Sequence, residues 1–221
     1  MSAKKRSRKP RSRRSAAVGF RVPREPVYLC AEGQTEIQYV RALFEYRYPG
    51  LFTLSIIRTR GKRAGGKTSL LNLIEVARKE SKTWARREKS SRDIWIICDL
   101  DENAHHREAL EKWLNESPNT HHAVIQAASI EAWFLSHFDN PQRPRGNREA
   151  EELLAKQWKN YRKGAEIPRG LIDRTDEAVS RELNAMNNAE SQWPFPPPGC
   201  SQMPDFIEYL DERASKLGGQ H

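Results

Sequence analysis

Three carboxylates stand where chemistry could be done. Glu32 lies in AEGQTE, directly after the apolar run VYLCA (27–31), and Asp99 and Asp101 lie in CDLDEN, directly after the apolar run IWIIC (94–98). If the two runs are buried strands ending side by side, the three acids meet. Packed carboxylates repel and raise each other's pKa unless a cation compensates, so such a cluster is costly without a metal. Mg2+ is the natural fit, with Mn2+ as the second choice, because a hard cation takes oxygen ligands, typically one or two carboxylates, waters and a substrate phosphate. Asp99 and Asp101 can both turn toward one ion if the chain bends past the strand end. The plainer reading is that these acids cap the next helices, as Asp commonly does. Either cluster alone favours that reading; the pair, at matching strand ends, favours a metal.

A second constellation pulls elsewhere. Residues 61–68, GKRAGGKT, satisfy the pattern GxxxxGK[ST] between an expected strand and an expected helix, the setting a P-loop requires. IWIICD would then serve as the Walker B strand. Against a nucleotide site, the segment follows the second strand and leaves the turn from Glu32 to Glu36 unexplained. A third reading needs no nucleotide: a Gly-rich loop carrying Lys62, Arg63 and Lys67 holds substrate phosphates near the acidic cluster. The adjacent pairs His105-His106 and His121-His122 diverge on a helix and point to opposite faces on a strand, so neither chelates one metal readily. His137 lies at helical spacing from Trp133, which is expected to bury it. The six tryptophans point to packing more than to a stacking platform, and no Ser/His/Asp arrangement can be read from spacing.

These residues need a scaffold of alternating elements. Strands are expected at 27–31, 52–59, 94–98 and 122–127, the third being the most apolar run and the best candidate for the central strand. Between and after them, helices are expected from residue 35, from residue 69, at 104–115 and at 130–138. Glu36 falls in the first turn of its helix, where a carboxylate favours the positive end of the dipole. Such alternation argues for an α/β fold, an open parallel sheet of about four strands covered by helices, in which strands read as continuous apolar runs. Ligands of such sheets bind beyond the carboxyl ends of strands, where both acidic clusters sit. Further helices are expected at 149–161, 173–187 and 205–217. The chain thus divides into a tail (1–25), an α/β core (26–140) and a helical C-terminal extension packed on it (141–221). The stretch WPFPPP (193–198) reads as a stiff connector more than as a partner motif.

The net charge of +9 belongs to the tail. Residues 1–25 hold ten basic residues (Lys4, Lys5, Arg6, Arg8, Lys9, Arg11, Arg13, Arg14, Arg21 and Arg24) and one acid, leaving 28 of each sign in the body. A tail of Lys, Arg, Ser and Pro without apolar periodicity is expected to be disordered. It either attracts nucleic-acid phosphate or solubilises the chain. No stretch approaches the roughly 18 apolar residues of a membrane span, and the N-terminus lacks the apolar block of a signal peptide. A cytoplasmic location without membrane contact is expected. Cys30, Cys98 and Cys200 are odd in number, far apart and without a CxxC pair, which suggests reduced, structural thiols.

Strand-Glu-Gly-x-Thr-Glu-helix followed by an apolar strand ending in DxD resembles the TOPRIM fold of topoisomerases, primases and related nucleases. More narrowly, VYLCAEGQTEIQYVRALFE, DIWIICDLDEN and IEAWFLSHF, in that order, with YRKG at 161–164, resemble the RloB family over about residues 25–165. Where RloB-like chains usually carry Ser-Asn-Pro-x-Phe ahead of Glu-x-Trp, this sequence has Ala127-Ala128-Ser129-Ile130. Glu131, Trp133 and His137 match. The resemblance implies a TOPRIM-like sheet and metal-dependent cleavage of DNA or RNA in bacterial anti-phage defence, with a partner ATPase encoded nearby. It implies general acid/base work and metal contact for Glu32, and a metal-binding pair in Asp99 and Asp101. Glu36 reads as a supporting or capping residue rather than a ligand; Glu131 is either a further acid or part of a helix packed under the site. Two alternatives stay open, a P-loop nucleotide hydrolase using 61–68 and a non-catalytic adaptor of the ATPase. Whether the chain forms a homo-oligomer is open too.

Overall fold

The computed structural model describes residues 24–58, 69–87, 92–189 and 193–218, with the backbone alone at Asp101 and Glu102. Four strands, β1 (Glu25–Ala31), β2 (Phe52–Ile56), β3 (Ile94–Asp99) and β4 (His121–Gln126), form one all-parallel sheet in the order β2-β1-β3-β4. This is the open α/β sheet expected from the alternation. Leu29 pairs with Trp95 and Ala31 with Ile97, while Asp99 lies opposite Gln126. β3 therefore runs two residues past the partner of the last β1 residue.

Why the strands read as unbroken apolar runs is visible in how their side chains divide. Successive residues of a strand point to opposite faces, and here both faces are covered. On one face Val27, Leu29, Trp95, Ile97 and Val124 pack with α1 (Gln34–Ala42), α4 (Ile130–Leu135) and α8 (Met203–Gly218). On the other, Cys30, Ile94, Ile96, Cys98 and Ile125 pack with Leu70, Leu73, Ile74 and Ala77 of α2 (Leu70–Arg87) and with Leu110 and Trp113 of α3 (Arg107–Glu116). All six residues of β3 are buried. The first core also takes in α5 (Asn147–Gln157) through Leu154, α6 (Arg169–Ile172) through Leu171 and Ile172, and α7 (Thr175–Asn187) through Ala178.

Several boundaries move, for local reasons. α1 runs on into a π-helical turn at Leu43–Arg47. The helix expected from residue 104 starts earlier, as a 3-10 turn at Asp101–His106, and becomes α-helical only at Arg107. At the junction His106 has φ −97° and ψ 16°, off the helical path, and this brings the rings of His105 and His106 to 3.7 Å between centroids. The pair does not diverge as expected. His121 and His122 do split across the sheet, one stacked on Trp113 and the other on Trp95. α5 stops at Gln157, which leaves Tyr161 in the loop beyond it. Arg92 lies over the rings of Tyr28 and Trp84.

The three cysteines are free and buried. Trp95, Trp113 and Trp133 are core residues, and His137 is fully buried against Trp133 at 4.8 Å between ring centroids. In the Pro-rich stretch, Phe195 is buried in the second core under Arg107. Among the described residues, no helix is long and apolar enough to cross a membrane.

Candidate functional site

The paired ends of β1 and β3 fix the first two acids. The Glu32 amide donates to the Ile97 carbonyl (3.0 Å), which extends the β1–β3 pairing by one residue past β1. Glu32 Oε2 then accepts the amide of Asp99 at 3.2 Å, so the carboxylate of one strand end is tied to the backbone of the other. Asp99 is 9% exposed. Its carbonyl accepts the Asn103 side-chain amide (2.9 Å), and Asn103 Oδ1 accepts the Leu70 amide (3.1 Å). That relay sets the turn after β3 against the start of α2. Asp101 begins the 3-10 turn immediately beyond; its side chain lies outside the described residues.

Glu36, expected to support the site or cap its helix, is buried among these acids. Gly33 precedes α1 in extended geometry (φ −133°, ψ −178°), so what it supplies is room. A Cβ there would lie 2.9 Å from Glu36 Oε2. The Glu36 side chain folds back over Gly33 and is buried, and its Oε2 has no hydrogen-bond partner among the described residues. Burial pushes its pKa up to about 7, with the negative charges of Glu32 and Glu131 adding to the rise and the amides of Glu36 and Gly33 opposing it. A carboxyl taken out of water, with other acids beside it, keeps its proton to a higher pH.

Glu131 opens α4 and is 1% exposed. Its Oε1 accepts the hydroxyl of Tyr161 at 2.5 Å. Burial and the Glu131 charge hold the Tyr161 hydroxyl well above its ordinary pKa, so it remains a donor. Three residues on, the Gly164 amide donates to Thr35 Oγ1 (2.9 Å). Gly164 has φ +73° and packs on Gln34, with an added Cβ 3.5 Å from that side chain. A residue without a Cβ adopts that left-handed backbone without strain. The segment 161–164 thus straps the start of α1 to the start of α4. Between the two pins, Lys163 Nζ pairs with Glu151 Oε1 at 2.6 Å. Burial lowers the Lys163 pKa, but the Glu151 bond and the charges of Glu131 and Asp99 outweigh it and leave it raised.

The site therefore gathers Glu32, Glu36, Asp99 and Glu131, and three of these acids act on Cys98. Burial first, then Glu32, Asp99 and Glu36, hold its thiol well above its ordinary pKa. The donor set is all oxygen, which suits a hard cation. Among the described residues no group of three or more His, Cys, Asp or Glu side chains is arranged to hold a metal ion. The phosphate contacts expected of Lys62, Arg63 and Lys67, the P-loop pattern 61–68, and the tail residues Lys4, Lys5, Arg6, Arg8, Lys9, Arg11, Arg13 and Arg14 all lie outside the described residues.

Sequence reasoning missed Thr35, Glu151, Tyr161 and Lys163. A signal was present in YRKG, a motif of the resemblance to which spacing alone assigns no role.

No curated protein and no solved structure matches the chain. A family model described as RloB-like protein matches residues 27–210, a span that begins within β1, ends within α8 and contains every acid of the site. The chain belongs to the RloB-like family.

Proposed function

We propose that this protein hydrolyses phosphodiester bonds of DNA or RNA in a metal-dependent reaction, with Mg2+ held by Glu32, Asp99 and Asp101 and Mn2+ as a substitute. The observation that carries the reading is the tie between the two strand ends: Glu32 accepts the Asp99 amide while Glu36 and Glu131 crowd the same space. Oxygen donors at the carboxyl ends of neighbouring parallel strands, where such sheets bind ligands, fit a hard cation in type. When bound, that ion polarises a phosphoryl oxygen and lowers the pKa of an attacking water.

The chain's own residues do the rest. The Asp99 amide orients Glu32. Tyr161 holds the Glu131 carboxylate through its hydroxyl, and Gly33 leaves the space in which the Glu36 carboxyl sits. With a pKa of about 7, Glu36 can take up or release a proton at Oε2 near neutral pH. From the family resemblance we carry over a role in anti-phage defence and an ATPase partner. Nucleic acid as the substrate draws further support from the basic tail.

Purified protein incubated with labelled DNA, RNA and tRNA, in Mg2+, Mn2+ or EDTA, tests the reading beside Glu32→Gln and the double variant Asp99→Ala/Asp101→Ala. The expected result is metal-dependent cutting that both variants lose. Undiminished cutting in either variant overturns the assignment, and absence of cutting on every substrate favours the adaptor reading.

A further inference from the structure

The strap over the site is basic. Lys159, Arg162 and Lys163 are exposed and lie within five residues of chain, between the end of α5 and the Gly164–Thr35 bond. Tyr161 is fixed to Glu131 and Gly164 to Thr35. The two residues between them, Arg162 and Lys163, are therefore held at the rim of the carboxylate cluster whatever their side chains do. Lys163 has 54% of its side chain exposed and its Glu151 partner 44%. An ion pair so open to water is worth little and exchanges readily. A cation in that position is poised between the acids behind it and any anion arriving from solvent.

We propose that Arg162 and Lys163 contact backbone phosphates of the nucleic-acid strand that reaches the carboxylate cluster, with Glu151 holding Lys163 until a phosphate replaces it. This rests on the nucleic-acid reading above and deepens it by assigning the substrate contacts to the strap. Charge balance favours such contacts. A divalent ion offsets part of the charge of Glu32, Glu36, Asp99 and Glu131, and cations beside the cluster lower the remaining repulsion of an entering strand. Arginine adds a forked donor set that suits phosphate oxygens, whereas lysine acts as a point charge.

The test is binding, measured apart from cleavage. Fluorescence anisotropy of a labelled single-stranded DNA oligonucleotide, in EDTA and over a range of salt, is compared for the full chain, Arg162→Ala/Lys163→Ala, Lys163→Arg and Glu151→Gln. A matched removal of charge on the other face of the sheet, Lys79→Ala/Lys112→Ala, serves as the control. Removing one cation that neutralises a phosphate of a single strand reduces the slope of log affinity against log salt by about 0.7. The strap double variant should change the slope by about twice that and bind roughly tenfold more weakly, on the same basis. Lys163→Arg should keep the slope and Glu151→Gln should bind more tightly. An unchanged slope in the strap variant, an equal effect in the control, or no binding by the unmodified chain overturns the proposal. Failure of the nuclease reading shows separately, as absence of metal-dependent cutting while the strap still governs the salt slope.

Discussion

Gly33 and Glu36 occupy adjoining space: the position a Cβ would take on Gly33 is 2.9 Å from Glu36 Oε2, closer than two such atoms can lie. The extended backbone at Gly33 accepts any residue, so the constraint is steric. Gly33→Ala should displace the Glu36 carboxylate, and because that group ends a flexible side chain the cost should be about 1 kcal/mol, the low end of the range for overpacking. In a Glu36→Ala background the same change should cost almost nothing. A double-mutant cycle by urea denaturation measures the coupling, and additive effects would show that the two do not touch.

Two buried groups give stability opposite dependences on pH. Glu36 has a folded pKa of about 7, above its ordinary 4.5, so the native state favours its protonated form. Its stabilising contribution is complete below pH 4.5 and is lost as pH rises through about 7, a change of about 3 kcal/mol. His137 goes the other way. Burial lowers its pKa from 6.5 to about 3, so its contribution is complete above pH 6.5 and is lost as pH falls toward 3, about 5 kcal/mol in all. Glu36→Gln should remove the loss on the alkaline side, and His137→Gln should blunt the acid side. Urea midpoints taken at several pH values for each variant test the assignment; parallel curves for variants and parent would refute it.

Tyr161→Phe removes the hydroxyl that donates to Glu131 Oε1 and leaves a buried carboxylate short of a partner. Hydrogen bonds to charged groups contribute about 1.5–3 kcal/mol, and a destabilisation of that size is expected. Adding Glu131→Gln should then cost less than it does in the parent chain, because the charge that needed the hydroxyl is gone. Equal costs in both backgrounds, measured by urea denaturation, would mean that the bond does not hold Glu131.

The thiols should be silent in the folded protein. Cys30, Cys98 and Cys200 are buried, and burial pushes Cys30 up to about 12 and Cys200 to about 11. A thiol is reactive as its thiolate, so a disulfide reagent should find no rapidly reacting cysteine until denaturant is added, and three afterwards. Rapid labelling of the native chain would contradict the burial of at least one.

Glu32 and Asp99 were legible because a strand buried on both faces is written as a continuous apolar run, and such a run ends at a definite residue. The sheet followed from four of these runs alternating with helices. What was not legible is whatever depends on contacts between distant residues. Glu36 read as a dipole-favouring acid in a first helical turn because nothing local to QTEIQYV announces that it is buried within reach of the Glu131 charge. Lys163 is exposed and polar by every local measure, and its importance comes from what Tyr161 and Gly164 on either side of it are tied to. The pairing of His105 with His106 turned on one backbone angle at a helix junction, which composition does not encode.

The first core has a consequence for synthesis. Trp95 of the sheet stacks edge-on against Phe206 of α8, 4.8 Å between ring centroids, and the same face carries Val27, Leu29 and Ile97. A ribosome releases the strands long before α8. Until that helix emerges, the nascent chain presents a half-covered apolar sheet to the cell. Holdase chaperones that recognise exposed apolar strands are the natural company of this intermediate, and losing α8 by premature termination should yield aggregated protein rather than a smaller working unit.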